Sequence, residues 1–143
     1  PFLELNADDF ETAWKTITLS AINLSQSVIP TMEQAGKGCL IFSGATASTR
    51  GSANFGPFAS AKFALRGLSQ SLAREFQPKG LHIVHPILDG IIWSDLSLSR
   101  FPTLQQQNCL QPDGLANIYW DLAHQPASTW THEIDLRPQT ESF

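Results

Sequence analysis

Hydrophobic residues in the first part of the chain recur every three to four positions. The repeating positions are Phe10, Trp14, Ile17, Ala21, Leu24 and Val28. Because an α-helix places such positions on one face, the pattern predicts a long amphipathic helix over about 8–34. Asn6 and Asp9 form the predicted capping pair at its start, and the glycines of GKG at 36–38 end it. The continuous apolar run CLIFS at 39–43 then predicts a strand covered on both faces.

A second long helix is predicted from Pro57 to about residue 76, because proline is favoured in a first helical turn. Two stripes poor in charge run along it. The first contains Phe58, Ala61, Leu65, Leu68, Leu72 and Phe76, and the second contains Ala59, Phe63, Gly67 and Ser71. One stripe is enough to cover a sheet. Glycine at position 67, in the middle of the helix, lowers helix stability by about 1 kcal/mol relative to alanine. The second stripe therefore predicts close approach of another helix, with packing of Gly67 inside the monomer as the alternative.

The rest of the chain alternates strands and helices. LHIVHPIL at 81–88 predicts a second buried strand, and the chain turns at Asp89-Gly90. Residues 91–112 are expected to be irregular, with a short helix and a lid-like loop, before a helix over about 112–124. WTHEIDLRP at 130–138 predicts a last strand. This order of elements predicts an α/β fold with a parallel sheet, in one domain over residues 1–143.

Composition narrows the range of partners. The chain has 143 residues and a formal net charge of −4, which argues against nucleic-acid binding. Its longest apolar runs have the length of strands, so we expect no membrane span and no signal peptide. Cys39 and Cys109 lie far apart, one in an apolar and the other in a polar stretch. We therefore expect two free thiols and a reducing, cytoplasmic location.

Several common chemical motifs are missing from the sequence. There is no G-x-G-x-x-G turn, and SGATASTRG lacks the G-K-[ST] ending of a phosphate loop. His82 and His85 are three positions apart in a predicted strand, so they point to opposite faces and we expect no metal site. Tyr119, the only tyrosine, has the helical spacing from Leu115 and Leu122 that is typical of a core or rim residue.

The segment AKFALRGLSQSLAREF at 61–76, with an apolar strand before it and LHIVHPILDG after it, resembles the central part of the short-chain dehydrogenase/reductase family. The resemblance covers nearly the whole chain. It implies a partial Rossmann-like parallel sheet, made of the family's three late strands and flanked by helices. It also implies an oxidoreductase that uses NAD or NADP and acts on a carbonyl or alcohol of a small molecule.

Family members carry their chemistry on a tyrosine, on a lysine four residues later, and on a serine about thirteen residues before the tyrosine. The resemblance places the lysine, which holds the nicotinamide ribose, at Lys62. It places the tyrosine at Phe58 and the serine at Ala45, and neither of these side chains has a hydroxyl. A supporting asparagine of the family falls near Ile17. The resemblance therefore implies a degenerate catalytic motif.

The cofactor contacts that the resemblance implies are incomplete. Lys62, Asp89 and Gly90 stand at cofactor-binding positions, the last two where many family members have Pro-Gly. The glycine-rich turn of the family belongs to its first half, which this sequence does not contain. We therefore expect a fragment of a longer chain or a protein that depends on association. We expect this chain alone to show no measurable binding of NAD or NADP.

Two functions follow from these residues. The first is a family oxidoreductase in which Phe58 and Ala45 impair the usual proton transfer. Ser43 and Ser48 flank Ala45 and either replace the missing serine or satisfy backbone groups of the loop. The second function is a non-catalytic, dimerising α/β scaffold module. Family members commonly pair through their two long helices, so we expect a homo-oligomer in either case. A structural alternative at Lys62 is that its stem lies along Phe58 and its ammonium reaches water.

Overall fold

The computed structural model describes residues 1–141 as a three-stranded parallel sheet flanked by helices. The strands are β1 (Gly38–Ile41), β2 (Leu81–Leu88) and β3 (Glu133–Leu136), and they lie in the order β1-β2-β3. The helices are α1 (Ala7–Trp14), α2 (Ser20–Ala35), α3 (Gly56–Phe76), α4 (Asp95–Arg100) and α5 (Pro112–Ala123). The expected α/β class and the parallel sheet are confirmed.

The long helix predicted over 8–34 is present, but one of its turns is wider than the others. A π-helical turn at Lys15–Leu19 joins α1 and α2 without a break. Thr18 in this turn is buried, and its Oγ1 donates a hydrogen bond of 2.9 Å to the carbonyl of Ala61 in α3. Turns of this kind are rare and often occur at functional sites. This one includes Ile17, near which the family asparagine falls.

Both ends of this helical segment have the caps that the sequence predicts. Asp9 donates its backbone N–H to Asn6 Oδ1 at 3.2 Å, and Asn6 donates its own to Asp9 Oδ2 at 2.9 Å. The two residues thus form a capping box. At the other end Gly36 adopts φ +62°, a left-handed conformation that glycine accepts without strain. The chain then enters β1 at Gly38.

Helix α3 covers one face of the sheet with its first stripe. The buried core cluster contains Ile29, Leu40, Phe42, Leu65, Ala73, Leu81 and Ile83. Within the stripe, Ala61 and Leu65 are buried, whereas Phe58 at its start is 39% exposed. The beginning of α3 therefore projects past the core, toward the ends of the strands.

The second stripe of α3 lies outside the core, apart from Ala59, which is buried. Phe63 is 45% exposed, and a Cβ built on Gly67 would meet no described atom within 4 Å beyond its own helix backbone and chain neighbours. Packing of Gly67 inside the monomer is therefore wrong, because the space around it is open. Next to this face, α2 and α3 enclose an apolar groove of about 390 Å³. Its apolar walls include Ile22, Ile29, Leu68, Leu72 and Phe76.

Helix α5 covers the opposite face of the sheet. Ser43 follows Phe42 of the core, so its side chain points to the other face. There its Oγ lies 2.7 Å from the hydroxyl of Tyr119 in α5. Tyr119 is half-buried, as expected for a rim residue. On the same face His82 stacks on Trp130, with ring centroids 4.8 Å apart.

The two cysteines are free thiols, as expected. Cys39 is half-buried and Cys109 is buried, and burial raises the pKa of the Cys39 thiol. Within residues 1–141 no helix combines the length and the apolar character needed to cross a membrane. In the same part of the chain, no three His, Cys, Asp or Glu side chains form a group that could hold a metal ion.

Candidate functional site

The three parallel strands end at one edge of the sheet, where the loops that follow them meet around Asp89. This residue follows β2 and is buried. Thr46, from the loop after β1, donates from Oγ1 to Asp89 Oδ1 at 2.5 Å. Arg50 of the same loop lies 3.5 Å from Oδ1, and Arg137, which follows β3, lies 3.3 Å from Oδ2. One buried carboxylate therefore links the segments that follow all three strands.

Gly90 comes directly after this carboxylate and has no room for a side chain. Its φ is +152°, and a Cβ built there would lie 2.7 Å from Pro138 Cδ. Both the backbone conformation and the neighbouring ring therefore require glycine. The turn after β2 thus presents bare backbone at the edge of the sheet.

An open cleft of about 510 Å³ lies beside these loops. Its walls include Ala45, Thr46, Phe55, Phe58, Gly90 and Phe101. Three positions proposed from the sequence, Ala45, Phe58 and Gly90, therefore share one cleft. Asp89 was also expected at a cofactor-binding position. Its carboxylate instead contacts Thr46, Arg50 and Arg137 within the protein.

Lys62 lies one helical turn after Phe58. Its Nζ donates to the carbonyl oxygen of Ser43 at 2.8 Å and is 5.6 Å from the centroid of the Phe58 ring. This separation is within the range of a cation–π contact. Burial lowers the pKa of Lys62. A backbone carbonyl thus holds the ammonium beside the ring. In the structural alternative considered for Lys62, the ammonium instead reaches water.

The hydroxyls near Ala45 are used within the protein. Ser48 is fully buried, and its Oγ accepts a hydrogen bond of 3.2 Å from the backbone N–H of Ala45. Ser43 points to the opposite face of the sheet, toward α5. Thr46 lines the cleft, but its hydroxyl donates to Asp89. Ser48 therefore satisfies a backbone group, as one of the two interpretations expected.

Comparison with known proteins identifies the family. Residues 1–103 match the family model described as short chain dehydrogenase, which is well over half of the chain. The chain belongs to the short-chain dehydrogenase family. This agrees with the resemblance seen in the sequence around Lys62 and with the fold.

Individual relatives of this chain are longer than it is. A short-chain dehydrogenase structure from Rhodopseudomonas palustris is 34% identical, with a TM-score of 0.77, and the match covers 96% of this chain and 56% of that chain. The uncharacterized oxidoreductase YciK of Escherichia coli strain K12 is 27% identical over 120 residues, or 83% of this chain and 46% of YciK. A closed form of serine dehydrogenase complexed with NADP+ shares the fold at 17% identity, with a TM-score of 0.87, over 100% of this chain and 61% of that chain. The chain spans about half the length of these relatives.

In this short-chain dehydrogenase chain an ion pair fixes α3 to the last strand. Arg66 donates from Nε to Glu133 Oε1 at 2.7 Å and from its terminal nitrogen to Oε2 at 2.9 Å. The Arg66 guanidinium lowers the pKa of Glu133 to about 2, and a hydrogen bond from Gln70 contributes. Arg66 lies one turn after Lys62 in α3. The Arg66–Glu133 ion pair therefore fixes the position of α3 over the sheet, and with it the position of Lys62.

A buried histidine supports the same corner of the short-chain dehydrogenase fold. His85 of β2 is fully buried, and a Cβ built on Gly44 would lie 2.6 Å from its Nε2. Gly44 must therefore remain glycine for the chain to pass over this ring. Burial lowers the pKa of His85, and the positive charges of Lys62 and Arg66 act in the same direction.

Several residues of this site carry no signal in the sequence. Phe55 and Phe101 line the cleft, and Thr46 and Arg137 hold Asp89. The lid-like segment expected over 91–112 contains α4 and does supply Phe101, which follows that helix. The contacts of Thr46 and Arg137 with Asp89 join positions more than 40 residues apart in the chain. No local spacing could have pointed to them.

Proposed function

We propose that this chain carries the later part of an NAD(P)-dependent oxidoreductase that acts on a carbonyl or alcohol, and that the usual proton transfer of the family is impaired in it. Membership of the family supports the class of reaction. The chain covers about half of its relatives, so the activity of the whole protein is part of the proposal. The free thiols Cys39 and Cys109 support a reducing, cytoplasmic location.

The observation that carries this proposal is the pairing of Lys62 with Phe58. A lysine beside a tyrosine lowers the phenol pKa and helps it to exchange a proton with the substrate. Phe58 lies in the cleft with its ring centroid 5.6 Å from the Lys62 ammonium, and a phenyl ring has no proton to exchange. Ala45, in the same cleft, offers no hydroxyl to polarise a substrate oxygen. The proton would then come from water or from the substrate itself.

The donors that are present fit one end of a nicotinamide cofactor, which supplies hydride transfer when bound. An ammonium has three N–H donors, and the carbonyl of Ser43 accepts one from Lys62. The remaining donors suit the hydroxyls of a ribose, and Gly90 lines the cleft with bare backbone. The sequence has no glycine-rich turn for the pyrophosphate. We therefore propose that this chain alone does not hold the cofactor measurably.

A non-catalytic scaffold module is the second candidate, and the outer face of α3 favours it. Phe63 is exposed there and Gly67 faces open space, beside the apolar groove between α2 and α3. We propose that two copies pair through α2 and α3. Sedimentation equilibrium tests this directly, since a strict monomer at high protein concentration contradicts it.

Calorimetric titration with NADH and NADPH tests the oxidoreductase proposal. It uses the full-length protein, meaning the longer protein of which, on this proposal, the chain is the later part. We expect saturable binding of at least one nucleotide. Loss of charge-assisted hydrogen bonds costs about 1.5–3 kcal/mol, so Lys62→Met should weaken that binding by about 10- to 100-fold. Lys37→Met, which removes an exposed lysine outside the cleft, is the matched control and should leave binding unchanged. Absence of binding, or equal effects of the two substitutions, rejects the proposal.

A further inference from the structure

Exposed apolar side chains converge on the cleft that contains Phe58. Phe55 is 55% exposed and Phe101 is 50% exposed, and both line this cleft together with Phe58 and Ile91. Large apolar side chains that are exposed singly need no explanation, but a cluster of them in one concave site indicates a ligand. The cleft volume of about 510 Å³ is within the range that holds molecules of drug size.

The polar lining of this cleft is sparse and carries no positive charge. Its polar side chains are those of Thr46, Ser52 and Glu141, and Thr46 is already bonded to Asp89. Glu141 is the only charged residue in the lining that the structure describes, and its carboxylate repels anions. A ligand that carries a carboxylate or phosphate therefore finds no cation in this lining to pair with. The nearby Lys62 ammonium is bonded to the Ser43 carbonyl, and the proposed function assigns its remaining donors to the cofactor ribose.

The arginines in the segments that follow β1 and β3 are engaged elsewhere. Arg50 and Arg137 both approach the buried carboxylate of Asp89, at 3.5 Å and 3.3 Å. Turning either of them toward a ligand would take a partner from a buried charge, which is costly. The chemistry of the lining therefore selects against acidic ligands as well as in favour of apolar ones.

We propose that the cleft takes an uncharged, bulky apolar alcohol or carbonyl compound, with an aromatic ring or a long alkyl chain, and discriminates against hydroxy acids, amino acids and sugars. This inference rests on the proposed function, because it treats the cleft as the substrate site. Phe55 and Phe101 form apolar walls against which the ring or chain packs. Phe58 adds a third apolar wall where the family has a polar tyrosine.

The test is a binding assay that needs neither cofactor nor turnover. The neutral fluorophore 1-aminoanthracene is bound to the full-length protein and then displaced. We expect 1-decanol and 2-naphthalenemethanol to displace it at concentrations at least tenfold lower than D-gluconate, L-serine or glycerol. Equal displacement by the polar compounds, or no saturable binding of the fluorophore, overturns the inference.

A pair of phenylalanine substitutions locates the binding. Phe101→Ala removes a cleft wall and should weaken 2-naphthalenemethanol binding by about tenfold, the effect of losing a buried aromatic contact. Phe2→Ala removes a ring that is 71% exposed and lies outside the cleft, and it should leave binding unchanged. Equal effects of the two variants contradict the inference. If the apolar ligands do not bind but a nucleotide does, only the proposed substrate class is rejected. If the apolar ligands bind but no nucleotide does, only the oxidoreductase proposal is rejected.

Discussion

Substitution of Glu133 by glutamine should loosen the attachment of α3 to the sheet. The carboxylate accepts two hydrogen bonds from Arg66, at 2.7 Å and 2.9 Å, and its pKa falls from 4.5 to about 2. Each pH unit of this difference corresponds to about 1.36 kcal/mol, which sets an upper bound of about 3 kcal/mol on the stabilisation at neutral pH. Because 31% of the Arg66 side chain and 25% of that of Glu133 are exposed, solvent screening lowers the expected loss to about 1–2 kcal/mol.

Urea unfolding of the Glu133→Gln variant between pH 2 and pH 7 measures this loss. The folded pKa is below the unfolded one, so the stabilisation is complete above pH 4.5 and disappears as the pH falls toward 2. The variant should therefore differ from the parent at pH 7 and converge with it near pH 2. Glu33→Gln is the matched control, because Glu33 pairs with Lys79 on the surface, and it should cause no resolvable change. A loss that is independent of pH, or equal in the two variants, contradicts a stabilising Arg66–Glu133 ion pair.

Three further predictions concern Gly67 on the exposed face of α3, the buried carboxylate of Asp89 and the buried His85. Gly67→Ala should raise the free energy of unfolding of the dilute protein by about 0.5–1 kcal/mol in urea titrations, because the added methyl group meets open space; a loss of stability contradicts this. Asp89→Asn should cost about 1–3 kcal/mol by the same method, because it removes the buried negative charge that Arg50 and Arg137 approach and weakens the hydrogen bond from Thr46, whereas Asp135→Asn at an exposed carboxylate should cost less. Because the folded pKa of His85 is lowered from 6.5, stability should fall as the pH drops below 6.5, and His85→Gln should remove that part of the pH dependence.

The elements of this fold were largely predictable because their signals are local. The β2 strand at Leu81–Leu88 matches the apolar run that predicted it, and the Asn6–Asp9 capping box follows from two side chains three residues apart. The π-helical turn at Lys15–Leu19 was not predictable from periodicity, because apolar spacing hardly changes when one turn widens. Its cause is tertiary, since Thr18 reaches across to a carbonyl of α3.

The candidate site was predictable only where a family motif marks it. The spacing of Lys62, Phe58 and Ala45 gave their positions, and the structure brings Phe58 and Ala45 into one cleft with Lys62 beside the ring. The role of Asp89 as an anchor for three loops needed the fold, because its partners come from distant parts of the chain. The aromatic wall at Phe101 likewise lies in an irregular segment, where no period assigns a side chain to a surface.

Restoring the missing hydroxyls tests most directly the claim that the site keeps the family geometry and lacks only the proton-transfer groups. The full-length protein with Phe58→Tyr and Ala45→Ser is compared with its parent by following NAD(P)H absorbance with apolar aldehydes. Phe63→Tyr, which adds a phenol elsewhere on α3, is the control. We expect the double variant to gain reductase activity by at least 100-fold over parent and control, within the range of a positioned acid–base group. High activity in the parent, or no gain in a folded double variant, would contradict it.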